Sequence, residues 1–565
     1  MTSEPLLLGP LLRYVDATSA TVWVETRARA EVTVRAGDRS WATGTFAVHG
    51  HHYALVEVDG LEPGSTTPYT VEVDGQQVWP EPDSAYPPPV IATPGPDGRL
   101  RMVFGSCRVS GPQTAAGNHE HGVDALLAYA LRMARGEHER PDLVLFLGDQ
   151  VYADETSKEM QELIAARRDI NEPPGTELRD FEEYAYLYEL AWQDPPIRWL
   201  LSTLPSAMIF DDHDIRDDWN TSITWQREMR RLDWWNRRIV AGLASYWVYQ
   251  HLGNLSPEAR AADVVWQRIA GHQGPEELDL TEVLDGVAYE ADRRPESYRW
   301  SYVRDLHGVR LVVIDSRSAR VLSPERRSML DDETKAWLEK QMCGGFRHLL
   351  VGTSLPFLLP VALHHLEAWD EAIAEGAWGP RAARFGERLR QGVDLEHWAA
   401  FEDGFHDMAA TALAVASGER GEPPRTVTFL SGDVHHSYLA EVARPGGTQI
   451  LQAVCSPIRN RLPAAMRGPT RAMTWRTLDA LVSRLSRSAG VRRPEISWST
   501  THGPWYANTL ATLEDRDDGL ALCWETGVVP SGGAPADAAH SDDADDAKDA
   551  EPRLEQVAAV LLRPR

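Results

Sequence analysis

Six strand-length apolar runs, each closing on a cluster of polar residues, constrain this chain more than any other feature. They are Met102-Val103-Phe104, Leu143 to Leu147, Ala207 to Phe210, Val309 to Ile314, Leu349-Leu350-Val351 and Val427 to Leu430. None shows the polar alternation of a half-exposed strand, so each reads as buried on both faces, as in a sheet covered by helices. The stretches between them are long enough for those helices. Trp234 to His251 is rich in aromatics, and Asp331 to Met342 opens with acids, as a helix N-terminus prefers. An α/β domain follows, expected over residues 99–530.

Residues 1–79 carry a different signal. Thr21 to Glu25 and Tyr69 to Val73 alternate, Tyr53 to Val58 is a third strand, and Asp74-Gly75 is a hairpin turn. These short strands predict a β-sandwich. The phrase Gly60 to Tyr69 resembles the turn before a late strand of fibronectin type III-like domains, so an Ig or fibronectin III-like unit is expected. Seven prolines between Pro80 and Gly98 read as a stiff linker. Ser531 to Pro552, with seven acids and one Lys, reads as disordered, and residues 553–565 as a returning strand.

With 57 basic against 84 acidic residues the formal charge is −27, which argues against nucleic-acid and anionic-membrane partners. The four cysteines, Cys107, Cys343, Cys455 and Cys523, contain no CxxC pair, so neither a disulfide framework nor a zinc ribbon is expected. No apolar stretch approaches the roughly 18–20 residues of a membrane span. The N-terminus lacks the basic and apolar regions of a secretory signal, so the expectation is a cytoplasmic protein. Oligomeric state is left open.

Chemistry should reside at the ends of the six runs, because loops converge at the carboxyl edge of an α/β sheet. The tails are Gly105-Ser106-Cys107-Arg108, Gly148-Asp149-Gln150-Val151-Tyr152, Asp211-Asp212-His213-Asp214, Asp315-Ser316-Arg317, Gly352-Thr353-Ser354 and Gly432-Asp433-Val434-His435-His436. Carboxylates hold hard cations and can bridge two of them. Imidazole takes borderline ions, and thiolate with phenolate favours a ferric ion. Two such ions stabilise both attacking and leaving oxygens at phosphorus. Arg108, next to the thiolate, is expected to clamp a phosphate by paired hydrogen bonds. His436 reads as a residue behind the ligands or at the surface rather than a ligand itself, His364-His365 and His51-His52 as structural or exposed, and the Trp234-Trp235 helix as core.

In this order the blocks resemble the metallophosphoesterase pattern of an opening Asp motif, GDxxY, GNH with an acid, VxxH and GHxH. Gly148 to Tyr152 fits GDxxY in full. Gly105-Ser106-Cys107, Asp211 to Asp214 and Gly432 to His435 replace three other motifs in the manner of the alkaline phosphatase D (PhoD-like) branch of the calcineurin-like superfamily, over most of residues 100–460. The resemblance implies an α/β (α+β) four-layer sandwich of β-sheets flanked by helices, behind an all-β domain. It implies that Asp149 bridges two metals, with Cys107, Tyr152 and His435 on a ferric ion. Asp212 and Asp433 would hold the second ion, calcium or another divalent ion such as Mn2+, Zn2+ or Mg2+. His213 takes the place of a histidine near the leaving group and is the candidate general acid. The implied reaction is hydrolysis of phosphate monoesters or diesters by a metal-bound hydroxide. Ser354 stands where the pattern has a His ligand. That departure keeps open a binding protein acting through its sandwich, with only a structural metal. A third reading, an amidohydrolase or nuclease, conflicts with the missing HxH and the acidic charge.

Overall fold

All six apolar runs are strands, and they divide between two sheets. In the six-stranded sheet Ser206–Ile209, Leu143–Leu147 and Arg101–Gly105 run parallel. Thr509–Arg516, Gly519–Val528 and Arg553–Leu562 continue it antiparallel. In the seven-stranded sheet Val309–Ile314, His348–Thr353, Thr426–Ser431 and Gln449–Val454 are parallel neighbours. Tyr302–Leu306 and Ser437–Val442 flank them antiparallel, and Trp498–Trp505 pairs antiparallel with Ser437–Val442 at the edge. This computed structural model describes residues 4–323, 325–530 and 551–563; the acidic stretch expected to be disordered lies, up to residue 550, outside the described residues.

The period of two explains why these runs lack polar positions. Leu311, Val313, Leu350 and Leu430 join the core that holds Leu145 and Leu147 of the other sheet. Their neighbours Val312, Ile314, Leu349, Val351, Val427 and Phe429 pack on the opposite face with Leu338, Phe405 and Met408 of the helices Asp332–Gln341 and Glu402–Ser417. Each fully buried aliphatic side chain contributes about 1.5–3 kcal/mol. The sheets come close at Gly352, where a Cβ would meet Leu147 Cδ2 of the other sheet at 3.2 Å. Asp515 ties them electrostatically: its carboxylate accepts from Arg347 Nε at 2.8 Å and lies 3.3 Å from His348 Nε2.

The N-terminal residues form two sheets. One orders Leu6–Val15, Ala20–Thr26, His51–Val58 and Phe46–Val48; the other orders Arg39–Gly44, Glu31–Ala36, Thr66–Val73 and Gln76–Trp79. Asp74 and Gly75, at φ 49° and 79°, make the expected two-residue turn. The segment expected as a stiff linker is instead partly strand, since Val90–Ala92 pairs with Thr66–Val73. Nor does this unit stand apart. Leu278–Asp279 adds itself to Phe46–Val48, and the fully buried Arg13 donates to the carbonyl oxygen of Tyr249 at 2.7 Å. His51 bonds Glu25 and Glu182, and His52 bonds Glu277, so the paired histidines seat the N-terminal sheet on the rest of the molecule. The aromatic helix runs from Trp235 to Tyr246 and continues as a π-turn, Trp247–His251, whose residues are buried. Among the described residues no helix is long and apolar enough to cross a membrane.

Candidate metal centre

Because three parallel strands of each sheet end on the same side, their tails meet. The backbone at that meeting is strained. Cys107, Asp149, Asp433 and His435 have φ of 57°, 49°, 65° and 50°, with Asp218 and Asp394 close by at 63° and 49°. Each left-handed non-glycine residue costs on the order of 1–3 kcal/mol and persists only where its surroundings hold it. Here the loops hold one another: Cys107 N–H donates to the carbonyl of Gly148 at 3.2 Å and Arg108 N–H to that of Asp149 at 3.0 Å. Two glycines allow the approach. A Cβ on Gly148, at φ 104°, would lie 2.5 Å from Asp211 Cβ, and one on Gly432 would lie 1.9 Å from Ser106 Oγ.

Ligand atoms gather in three overlapping groups, each within 4.8 Å: Cys107, Asp149 and His435; Asp149, Asp212 and His213; Asp211, Asp212 and Asp433. Asp149 belongs to the first two and Asp212 to the last two, as a chain of adjacent cation positions requires. The donors fit cations on a second count. Asp149 Oδ1 and Asp211 Oδ2 are buried without a hydrogen-bond partner among the described residues. An ionised carboxylate so placed is costly unless a cation answers it. Burial, followed by the neighbouring carboxylates, pushes the pKa of Asp149 well above the usual range, and burial likewise raises Asp211, Asp212 and the Cys107 thiol. Burial holds His435 down at about 4, leaving a neutral imidazole able to ligate. Tyr152 lies beside this group; its hydroxyl accepts from Asn460 Nδ2 at 3.0 Å and its ring stands 4.8 Å from that of His213.

One cation is already resident. Arg317, fully buried, pairs with Asp211 and Glu396, and its Nη2 lies 3.0 Å from Asp212 Oδ1 and 3.6 Å from Asp433 Oδ1. Arg108, by contrast, is directed elsewhere: its Nε donates to Asp124 at 3.0 Å and its Nη1 to the carbonyl of Ala191 at 2.9 Å. The expected phosphate clamp is thus corrected, because a buried guanidinium already matched by a carboxylate and a carbonyl stays where they are. Ser354 does not reach a ligand position; its Oγ donates to Asp211 Oδ1 at 3.0 Å and contacts Ser316 Oγ at 2.9 Å.

Two supporting arrangements lay outside the strand-end motifs. His397 Nε2 meets Asp433 Oδ2 at 2.8 Å while its Nδ1 meets Glu367 Oε1 at 2.8 Å. This partner, with Arg317, keeps the Asp433 carboxylate well below its usual pKa despite burial. His213 Nδ1 meets Asp154 Oδ1 at 2.9 Å, and its Nε2 lies 3.9 Å from Asp217 Oδ1. Burial opposes charge on this ring, yet Asp154 and Asp212 outweigh it and hold the imidazole well above its usual pKa. His436 packs at 5.5 Å from the Tyr438 ring, with its Nδ1 2.6 Å from the carbonyl oxygen of Val434.

Residues 114–472, more than half of the 565-residue chain, match the PhoD-like phosphatase family. The chain belongs to that family. A solved structure of PhoD covers 100% of this chain and 91% of its own at 13% identity, with a TM-score of 0.57, a likeness of fold. Residues 3–91 match DUF7800, a domain family of unknown function. A maltogenic amylase of S. marinus, 9% identical over 91% of this chain and 76% of its own, reaches a TM-score of only 0.15. No curated protein matches the sequence. Phosphoester hydrolysis supported by bound metal is the chemistry of the PhoD-like family, and Asp149, Asp212, Asp433 and His435 all lie within the matched span, with Cys107 just ahead of it.

Proposed function

We propose that this PhoD-like chain hydrolyses phosphate monoesters or diesters at a two-cation centre bridged by Asp149. The observation that carries the reading is the overlap of three largely buried ligand groups, in which Asp149 Oδ1 and Asp211 Oδ2 have no hydrogen-bond partner among the described residues. Cys107, Tyr152 and His435 would complete a ferric position. Asp212 and Asp433, joined by Asp211, would complete a calcium position that another divalent ion such as Mn2+, Zn2+ or Mg2+ could take. Bound there, the cations would supply an activated water and positive charge facing the phosphoryl oxygens.

The chain's own residues do the rest. His213 donates a proton from Nε2 to the leaving oxygen, with Asp154 fixing the ring through Nδ1. Arg317 orients Asp211 and Asp212, and the Glu367–His397 pair orients Asp433. The calcineurin-like four-layer arrangement and an Ig-like identity for the N-terminal sheets belong to the same reading.

The purified protein should contain iron and calcium, absorb in the visible through Tyr152 or Cys107, and cleave aryl phosphate mono- or diesters. Asp149→Ala should abolish turnover while leaving the far-ultraviolet spectrum unchanged. A chain that binds neither metal and stays inactive after supplementation would remove the basis of this proposal.

A further inference from the structure

The acidic total of this chain conceals a basic island. Residues 459–493 contain nine Arg and a single acid, Asp479, and residues 380–390 contain four Arg and one Glu. These segments form three helices: Pro380–Arg390, Ala464–Ala472 and Arg476–Ser488. Arg384, Arg388, Arg461, Arg471, Arg484 and Arg487 are exposed and form no ion pair with a carboxylate among the described residues. Of the nine exposed large apolar residues among the described residues, Phe385, Met466, Trp475 and Leu481 lie in the same two stretches and Trp378 and Val393 flank the first of them, all between 45% and 64% exposed.

Two of the basic helices, Pro380–Arg390 and Arg476–Ser488, share a seat. Leu389 and Leu485 meet in one apolar cluster on the helix Val361–Ala374, and Trp378 Nε1 donates to the carbonyl of Ser488. They also spring from the walls of the metal centre. Arg459 N–H donates to the carbonyl of Cys107, Asn460 bonds Tyr152, and Ser222 bonds Glu387 of the helix Pro380–Arg390. A surface held by these helices therefore lies at the rim of the site.

We propose that this rim seats the protein on an anionic phospholipid surface. Arginines alone would suit any polyanion, but arginines interleaved with exposed Trp, Phe, Leu and Met form an amphipathic face whose apolar members need a phase to enter. A lipid interface offers both the anionic headgroups and that phase, and tryptophan favours the headgroup level. On an otherwise acidic molecule, repulsion from the remaining surface would turn this face toward the membrane. For catalysis the inference rests on the phosphoesterase reading, since a headgroup phosphodiester would then be presented at the ligand cluster. The docking itself requires no turnover.

The test is co-sedimentation of the full-length protein with vesicles of phosphatidylcholine alone and of phosphatidylcholine with phosphatidylglycerol. Binding is expected only to the anionic vesicles and should weaken with salt. Arg484→Glu with Arg487→Glu, and separately Trp475→Ala with Leu481→Asn, should each weaken it about tenfold or more. All four substituted side chains lie outside the ligand set, so both variants should hydrolyse a soluble aryl phosphate ester like the parent. That assay separates failure of docking from failure of the phosphoesterase reading. Equal sedimentation with both vesicle types, or variants that bind as well as the parent, would overturn the proposal. So would binding to heparin that is indifferent to Trp475→Ala with no binding to anionic vesicles, which would assign the island to a soluble polyanion.

Discussion

Replacing Asp154 by Asn tests whether His213 is the proton donor. The carboxylate is buried, with its two oxygens 2.9 Å and 3.1 Å from His213 Nδ1. Asn keeps the volume and an acceptor while removing the charge. A charge-assisted hydrogen bond of this kind contributes about 1.5–3 kcal/mol, which corresponds to about one to two pKa units on the imidazolium. His213 acts in its protonated form, and its pKa is raised in the folded protein, so activity that depends on it is complete below that pKa and lost above. Lowering the pKa must move the basic limb of kcat/KM toward acid, by about one to two pH units. The effect should also depend on the leaving group. Nitrophenolate departs without a proton, whereas an alkoxide needs one, so the variant should lose on the order of 10²-fold on an alkyl phosphate and little on nitrophenyl phosphate. The assay is a pair of pH–rate profiles with metal content measured on the same samples. A basic limb that does not move, or equal losses on both substrates with metal retained, would refute His213 as the acid.

Chelation should abolish activity and lower Tm, because it uncovers the unpartnered oxygens of Asp149 and Asp211, and readdition should restore both; calorimetry of Asp149→Asn should show a much smaller difference. Gly148→Ala places a methyl 2.5 Å from Asp211 Cβ at φ 104°, and should cost about 1–3 kcal/mol in urea unfolding and reduce bound metal. The same change at Gly136, also at positive φ but with nothing within 4 Å, serves as the control that measures the backbone contribution alone. Asp515, held at about 2 by His348 and Arg347 against the cost of burial, stabilises the folded state above its unfolded pKa, and that stability is lost as pH falls toward 2. Asp515→Asn should therefore remove about 2 kcal/mol at neutral pH and flatten the dependence between roughly pH 4 and 2, read by denaturant melts across that window.

The strands that carry chemistry were legible because a parallel strand covered on both faces leaves an unbroken apolar run. The antiparallel strands at the sheet margins left weaker traces. Trp498–Trp505 contains Gly503 and Pro504 and is half-exposed, so nothing in its pattern marks a strand. The meeting of these side chains was legible for the same reason, since Cys107, Asp149, Asp212 and Asp433 each follow a strand by two or three residues. Its supports were not. Asp154 and His397 acquire their roles from partners 59 and 36 residues away, a relation no local pattern encodes. Arg108 and Arg317 both occur in strand-end tails, and only the three-dimensional path shows that the first turns to Asp124 and the second to the carboxylates. The distribution of charge was hidden in another way: a sum over the chain does not reveal that arginines collect on three helices.

The strand Leu278–Asp279, which completes the sheet begun by Phe46–Val48, has a consequence for biosynthesis. During translation the N-terminal sheet cannot close until residue 278 has left the ribosome, and Arg13 waits as long for Tyr249. Until then the edge at Phe46–Val48 is an open template for another strand. Slowing elongation between these points should lengthen that exposure and favour aggregation of the nascent chain. A chain cut between the sandwich and the α/β region would leave the same edge open for good.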